Sequence, residues 1–252
     1  MRNLCLLAAL CSPLAFAQSV TVQPNSLLRL PNTTSTLQLE RLDVADYATL
    51  LIPANVTQVE VGQLHLGHEA RIAIVPAEQG LQLRVAHAQL GTGSQITSRG
   101  APGNYLKAAK PGRNLELRID SLKAEQLSVD ARGGAGAPGY AGLDGANGKA
   151  PGCTWGQAGR GADGDNGGDG HPGAAGAQVR LALPHAYPQA QIKVLVDGGA
   201  GGLPGSAGKP GAGGQSKGCI VYRADGGKSG RPGAQGQPGP AGEAGSVTLQ
   251  RL

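Results

Sequence analysis

Glycine recurs at every third position in four separate runs in the second half of the chain. The runs comprise the glycines of residues 133–148, 161–176, 199–214 and 227–245, and the phase changes from each run to the next. Glycine at every third residue with scattered proline is typical of the polyproline II helix, which has three residues per turn. One edge of such a helix carries no side chains, so another backbone can approach it closely. We therefore predict that the four runs pack against one another.

The four runs form two copies of one unit, offset by 66 residues from Cys153 to Cys219. We predict copies at residues 131–183 and 196–252, each with a strand, a glycine run, a cysteine-bearing tip, a second run and a returning strand. A collagen trimer needs long runs in one phase, whereas these runs are short and change phase at each tip. We therefore expect an intrachain bundle of four polyproline II helices in a monomer. A collagen-like homotrimer stays open as the alternative.

Residues 18–130 carry a different repeat, of about 22 residues, in which apolar and polar residues alternate. Alternation predicts strands with one buried face, and a fixed period is typical of stacked coils. We predict a mainly β fold with a β-solenoid (parallel β-helix) of about five coils, and the strands beside the glycine units continue its wall. An antiparallel sandwich is the alternative. One aliphatic row contains Leu28, Leu50, Ile72 and Ile96, and a second contains Leu37/Leu39, Val59/Val61, Leu81/Leu83 and Leu115/Leu117.

The first 17 residues have the pattern of a secretory signal peptide. Arg2 precedes a short apolar stretch, and Ala15-Phe16-Ala17 fits a cleavage site. Cleavage would leave Cys153 and Cys219 as the two remaining cysteines, and in an exported chain such a pair predicts a disulfide. We expect a secreted protein without a membrane span, outside the cell or at its surface, with the periplasm as the alternative.

The glycine-rich part resembles known proteins in two respects. By composition it resembles bacterial collagen-like, glycine-rich secreted proteins. By architecture it resembles the polyproline II bundles of the snow flea antifreeze protein and of the tips of certain phage tail-fibre adhesins. The resemblance covers residues 131–246 and implies binding to ice or to a cell-surface receptor. Residues 18–130 resemble the β-solenoids of exported surface proteins in a general way.

The two tips carry the candidate binding residues. Exposed aromatic and cationic side chains suit stacking on sugars or contact with anionic groups. The alternative is that the aromatic rings merely cover the disulfide. The predicted partner-binding set is Trp155, Tyr222, Lys149, Arg160, Lys217 and Arg223.

We find no pattern that predicts catalysis, a cofactor or a metal site. His65 and His68 with Glu69 are explained by an exposed solenoid face. Asp163, Asp165 and Asp169 suggest a calcium loop at first sight. However, residues one turn apart on a polyproline II helix are separated by about 9 Å, too far to share one ion. A solvated edge is the simpler interpretation.

Charge does not favour a nucleic-acid partner. Residues 18–130 carry 10 basic and 10 acidic side chains, and residues 131–252 carry 11 and 7. No basic run alternates with aromatic residues, as a nucleic-acid groove would require. We expect a non-enzymatic structural or adhesive protein of the cell surface or extracellular matrix, whose tips bind a glycan or protein receptor. Ice binding is the alternative, and a polysaccharide-acting β-helix enzyme, which would need clustered acids, is the second alternative.

Overall fold

The structure is a computed structural model that describes residues 18–153 and 156–252. The predicted signal peptide and the predicted site residue Trp155 lie outside the described residues. The described chain is mainly β, and its one helical element is a 3-10 turn at Gln189–Gln191. The strands are β1 Ser19–Val22, β2 Leu27–Arg29, β3 Thr36–Val44, β4 Thr49–Ile52, β5 Gln58–Leu66, β6 Arg71–Ile74, β7 Leu81–Leu90, β8 Gln95–Thr97, β9 Leu115–Ala124, β10 Leu127–Asp130, β11 Gln178–Leu183, β12 Ile192–Leu195, β13 Lys217–Gly218, β14 Arg223–Ala224 and β15 Ser246–Arg251.

Two parallel sheets contain all of these strands except β13 and β14. The seven-stranded sheet has the order β1-β3-β5-β7-β9-β11-β15, and the six-stranded sheet has the order β12-β10-β8-β6-β4-β2. Over β1 to β10, successive strands of the chain alternate between the two sheets. The backbone therefore coils once for each pair of strands, which fits a β-solenoid-like fold.

Aliphatic side chains stacked from coil to coil form the core between the sheets. Leu28 pairs with Leu50, Leu50 with Ile72, and Ile72 with Ile96, so the first predicted row is confirmed. Leu50, Ile72 and Ile96 are at most 1% exposed. Burial of each such side chain contributes about 1.5–3 kcal/mol. The core is therefore built without aromatic packing, apart from Tyr187 near its end.

The second predicted row is wrong by two residues at one coil. Val59 pairs with Leu83 and Val61 with Val85, rather than with Leu81 and Leu83. This coil is longer by two residues than the preceding ones, which a fixed period of 22 does not anticipate. Because a shift of two residues keeps each side chain on the same face, Leu81 and Leu83 are still buried.

Arg113, at the entry to β9, is the largest fully buried side chain of the solenoid. Its Nε donates to the carbonyl oxygen of Gln79 at 2.8 Å, and its Nη1 and Nη2 donate to carbonyl oxygens of Pro53 and Val56. Burial lowers the pKa of this guanidinium. Arg113 therefore ties together turns from three coils through backbone carbonyls alone.

The predicted four-helix polyproline II bundle is wrong. The structure assigns no helical element to the described glycine runs, and the hydrogen-bonded segments number six rather than four. The additional pair is a short hairpin between β8 and β9 that contains only three glycines. We call the six segments the glycine array. They are residues 98–104, 107–113, 131–149, 159–177, 196–214 and 227–245.

The glycine array has two layers that continue the two sheets. The segments that leave β8, β10 and β12 run parallel in one layer, where Gly136 N donates to Ala200 O at 2.8 Å. The segments that enter β9, β11 and β15 form the other layer. Bonds such as the one from His171 N to Ala137 O, also 2.8 Å, join the layers in antiparallel fashion. The array is therefore held by backbone hydrogen bonds rather than by apolar burial.

Close approach of backbones explains why glycine recurs at every third position. A Cβ added at Gly139 would overlap the carbonyl oxygen of Gly168, and one added at Gly142 would overlap that of Asp165. The missing side chains let backbone N–H and C=O groups of neighbouring segments come within hydrogen-bond distance. The three-residue period thus reflects contact between segments.

An ion pair between the partly exposed Arg132 and the buried Asp130 marks the junction between the solenoid and the array. Arg132 donates to Asp130 through Nε–Oδ1 at 2.9 Å and Nη2–Oδ2 at 2.8 Å. Burial would raise the pKa of Asp130, but hydrogen bonds and charge from Arg132, with the charge of Arg99, outweigh it. The pKa of Asp130 is therefore held below its ordinary value.

Candidate interaction site at the disulfide-linked tips

A miniature antiparallel hairpin forms the tip of the second glycine unit. β13 and β14 pair through Lys217 with Ala224 and through Gly218 with Arg223. Cys219 N donates to Tyr222 O at 2.8 Å, which closes a four-residue turn. We call residues 217–224 the tip hairpin.

The predicted disulfide joins this hairpin to the other tip. Cys153 and Cys219 are bonded with a Cα–Cα distance of 5.7 Å, which confirms the pairing. The Tyr222 hydroxyl also donates to the carbonyl oxygen of Cys153 at 2.8 Å. Because both links join the same two tips, the tip hairpin is held in place at the end of the array.

Two fully exposed aliphatic side chains occupy the turn of the tip hairpin. Ile220 is 105% exposed and Val221 is 92% exposed. Sequence reasoning missed both, because β-branched aliphatic residues ordinarily predict burial. The signal in the sequence is their position between Cys219 and Tyr222, where no alternation of apolar and polar residues predicts a buried strand. A paired apolar surface of this kind marks a candidate contact for a partner.

The predicted cationic residues lie at the same end of the array, but they differ in their contacts. Arg223 donates to Ser216 Oγ at 3.2 Å, and Arg160 forms an ion pair with Asp163 at 3.0 Å. Arg160 and Asp163 are both exposed. Lys149 and Lys217 are also exposed at this end. Tyr222, Lys217 and Arg223 are thus brought together on the tip hairpin beside Ile220 and Val221.

The aspartate-rich run at residues 163–169 has a role that sequence reasoning missed. Asp163, Asn166 and Asp169 each accept a hydrogen bond through Oδ1 from a backbone N–H of the neighbouring parallel segment, at 2.6–2.7 Å. These donors lie 68 residues further along the chain. The three side chains therefore pair with the backbone N–H groups of Arg231, Ala234 and Gln237. Chain order alone does not reveal that register.

The histidines of the solenoid are brought near other groups without forming a metal site. His65 lies 3.6 Å from Asp43, and the His68 ring packs 5.3 Å from that of Tyr47. Within residues 18–153 and 156–252, no three His, Cys, Asp or Glu side chains are grouped to hold a metal ion.

A polar cleft of about 570 Å³ lies on the outer face of the seven-stranded sheet. Its walls include Gln58, Gln82, Asn114 and Arg180, and Glu116 is its one carboxylate. The cleft therefore offers mainly neutral hydrogen-bonding groups.

The part of the chain that the structure describes contains no helix with the length and apolar character needed to cross a bilayer. No protein family, characterised protein or solved structure matches the chain.

Proposed function

We propose that the chain is an exported structural or adhesive protein of the cell surface or extracellular matrix. It holds a rigid binding tip away from a β-solenoid body and contacts a surface receptor through the tip hairpin. The observation that carries this proposal is the exposed pair Ile220 and Val221 on a turn fixed by the Cys153–Cys219 disulfide.

The chemistry of the tip supports a receptor with an apolar pocket and an acidic rim. Burial of two aliphatic side chains supplies about 1.5–3 kcal/mol each. Lys217 and Arg223 flank the pair on the two strands of the tip hairpin, and such rim charges favour association with an anionic surface. Because the disulfide orders the tip before contact, less conformational entropy is lost on binding. A protein receptor with an apolar pocket fits the exposed aliphatic pair, whereas a glycan would instead stack on an aromatic ring such as that of Tyr222.

A solid-phase assay with purified mature protein tests the proposal. Wild-type protein and the double variant Ile220→Ser/Val221→Ser would be applied to immobilised extracellular-matrix proteins, to whole cells and to a glycan array. We expect binding to one of these surfaces, and we expect at least about tenfold weaker binding by the double variant. The matched control is Leu27→Ser, which changes a 66% exposed leucine on the solenoid.

Reduction of the disulfide provides a second arm of the same assay. Reductant should weaken binding while the β signal in circular dichroism stays unchanged, because the sheets do not contain either cysteine. Binding that survives both changes would contradict a role for the tip hairpin. Absence of binding together with ice-shaping activity of the same sample would instead favour the ice-binding alternative.

A further inference from the structure

The first hairpin of the glycine array is much shorter than the other two. It turns at residues 104–107, where Asn104 N donates to Lys107 O and Asn104 Oδ1 accepts from the N–H groups of Leu106 and Lys107. The neighbouring segment continues past this turn to residue 149. One side of segment 131–149 is therefore covered near the solenoid and uncovered beyond residue 137.

A row of backbone carbonyls runs along this side of the segment. Near the solenoid, the carbonyls of Arg132 and Ala135 accept hydrogen bonds at 2.8 Å from Gly100 and Gly103. Further steps of three residues lead along the same side of the segment. These later carbonyls accept no hydrogen bond from any described residue. They belong to Pro138, Ala141, Asp144 and Asn147.

Exposed apolar side chains lie beside this carbonyl row. The Tyr140 ring covers Gly168 of the next segment, where an added Cβ would lie 2.7 Å from Tyr140 Cε1. Tyr140 is 66% exposed and Leu143 is 73% exposed. At the end of the short hairpin, Tyr105 is 63% exposed and Leu106 is 93% exposed.

These two groups of side chains adjoin each other. A Cβ added at Gly103, just before the turn, would lie 3.3 Å from the backbone nitrogen of Ala137. Ala137 is one three-residue step before Tyr140. Tyr105 and Leu106 therefore stand at one end of the uncovered side, and Tyr140 and Leu143 stand along it. We call residues 138–147 with Tyr105 and Leu106 the open groove.

We propose that the open groove binds an extended polyproline II segment of a partner protein, with proline in most positions and an N–H donor at every third residue. Three residues per turn match the three-residue spacing of the uncovered carbonyls. Proline rings pack well on exposed tyrosines, as they do in aromatic-lined grooves that recognise proline-rich segments. The groove spans at most about 30–32 Å, so it accommodates about three turns of such a segment.

The seated hairpin supports this mode of binding. Residues 98–103 already lie on the same segment and donate from Gly100 and Gly103 to the same carbonyl row. A partner segment would extend that contact from Pro138 onward. Its donors would meet carbonyls of Ala141 and Asp144, and its prolines would pack on Tyr140 and Leu143. This groove is separate from the tip hairpin, so the inference does not depend on the proposed function.

Fluorescence polarisation with a labelled peptide of four Pro-Pro-Gly triplets tests the inference directly, since so short a peptide stays single-stranded. The comparison peptide replaces each glycine by sarcosine, which keeps the extended shape and removes the N–H donors. We expect saturable binding of the glycine peptide and at least about tenfold weaker binding of the sarcosine peptide. Equal binding of both peptides, or none of the glycine peptide, would overturn the inference.

Variants of the same protein locate the peptide. Tyr140→Ala and Leu143→Ala should each weaken binding by about tenfold, whereas Tyr140→Phe should keep it because the ring is retained. The control Leu203→Ala changes a 75% exposed leucine on another segment and should leave binding unchanged. Sedimentation that reveals a dimer abolished by Leu143→Ala would assign the groove to a second copy and would overturn the partner-segment inference.

Discussion

The solenoid and the glycine array share one two-layered path of the backbone but are stabilised by opposite means. In the solenoid, each coil contributes aliphatic side chains such as Leu50 and Ile72 to a continuous core. In the array, glycines remove the side chain at the closest contacts, and backbone N–H and C=O groups fill the space between segments. The solenoid therefore depends on the packing of its aliphatic side chains, and the array depends on the close backbone contacts that its glycines allow.

This difference matters because the net contribution of a backbone hydrogen bond to the free energy of folding is only about 0.5–1.5 kcal/mol. The array needs many such bonds in register, and its glycines lose more conformational entropy on folding than other residues. The Cys153–Cys219 bond closes a loop of 66 residues and offsets about 4 kcal/mol of chain entropy in the loop-closure model. The aliphatic solenoid supplies the two parallel sets of strands from which the array begins.

Truncation of a core side chain should have the largest effect, and it should act on the solenoid. Leu117 is fully buried in β9 and pairs with Leu83 and Leu181 on the two adjacent strands. Leu117→Ala should lower the free energy of unfolding by about 4 kcal/mol through lost burial and a cavity, measured by urea denaturation. Leu203→Ala in the array should change it by less than about 0.5 kcal/mol. Similar losses for the two variants would contradict the distinction.

Addition of one methyl group should have the next largest effect, and it should act on the array. At Gly142 the new Cβ would overlap the carbonyl oxygen of Asp165 and lie 2.8 Å from Gly208 N. Gly142→Ala should therefore lower stability by about 3 kcal/mol, measured by calorimetry. Gly218→Ala is the matched control, because nothing lies within 4 Å of a Cβ there. An unchanged stability of Gly142→Ala would contradict close backbone contact as the cause of the three-residue glycine period.

Loss of one acceptor from the aspartate-rich run should have a smaller effect. Asp169 Oδ1 accepts from Gln237 N at 2.6 Å, whereas the side chain of Asp165 accepts no hydrogen bond from the described residues. Asp169→Ala should lower stability by about 1 kcal/mol, and Asp165→Ala should leave it within about 0.5 kcal/mol. Thermal unfolding monitored by circular dichroism would measure both. Equal effects would indicate that these side chains act only through their charge.

The smallest expected effect is a pH dependence at the junction. The folded-state pKa of Asp130 lies below its unfolded value of about 3.9. Its contribution to stability is therefore fully present above that value and is lost as the pH falls through the folded pKa. Asp130→Asn should flatten the acid side of the stability profile between neutral and acidic pH. Asp120→Asn, which changes an exposed pair with Arg118, is the control and should leave the profile nearly unchanged.

Sequence periodicity predicts the solenoid better than the array. Alternation identifies buried positions such as Leu64 and Ile96 without knowledge of the partner strand, because one face of each strand must be apolar. The predicted strand register is wrong where one coil is longer than the others, as in the pairing of Val59 with Leu83. The array is harder to predict, because its contacts join backbones whose register depends on loop lengths rather than on side-chain type.

Two features of the array illustrate that limit. The hairpin at residues 98–113 was missed because Gly100, Gly103 and Gly112 are too few to form a visible run. The sequence predicts the disulfide at the tips, because Cys153 and Cys219 occupy equivalent positions in the two copies. It does not predict the exposure of Ile220, since only the closed turn of the tip hairpin directs that side chain into solvent.

Residue-resolved hydrogen exchange of the folded protein tests whether backbone hydrogen bonds hold the glycine array together. Gly142 N donates to Ser206 O at 2.8 Å and Gly208 N to Asp165 O at 2.9 Å, whereas Leu143 N donates to no backbone acceptor among the described residues. We predict protection with a three-residue period along segment 131–149, with glycine amides at least about 100-fold slower than their unbonded neighbours. Uniformly fast exchange along this segment would contradict an array held by backbone hydrogen bonds.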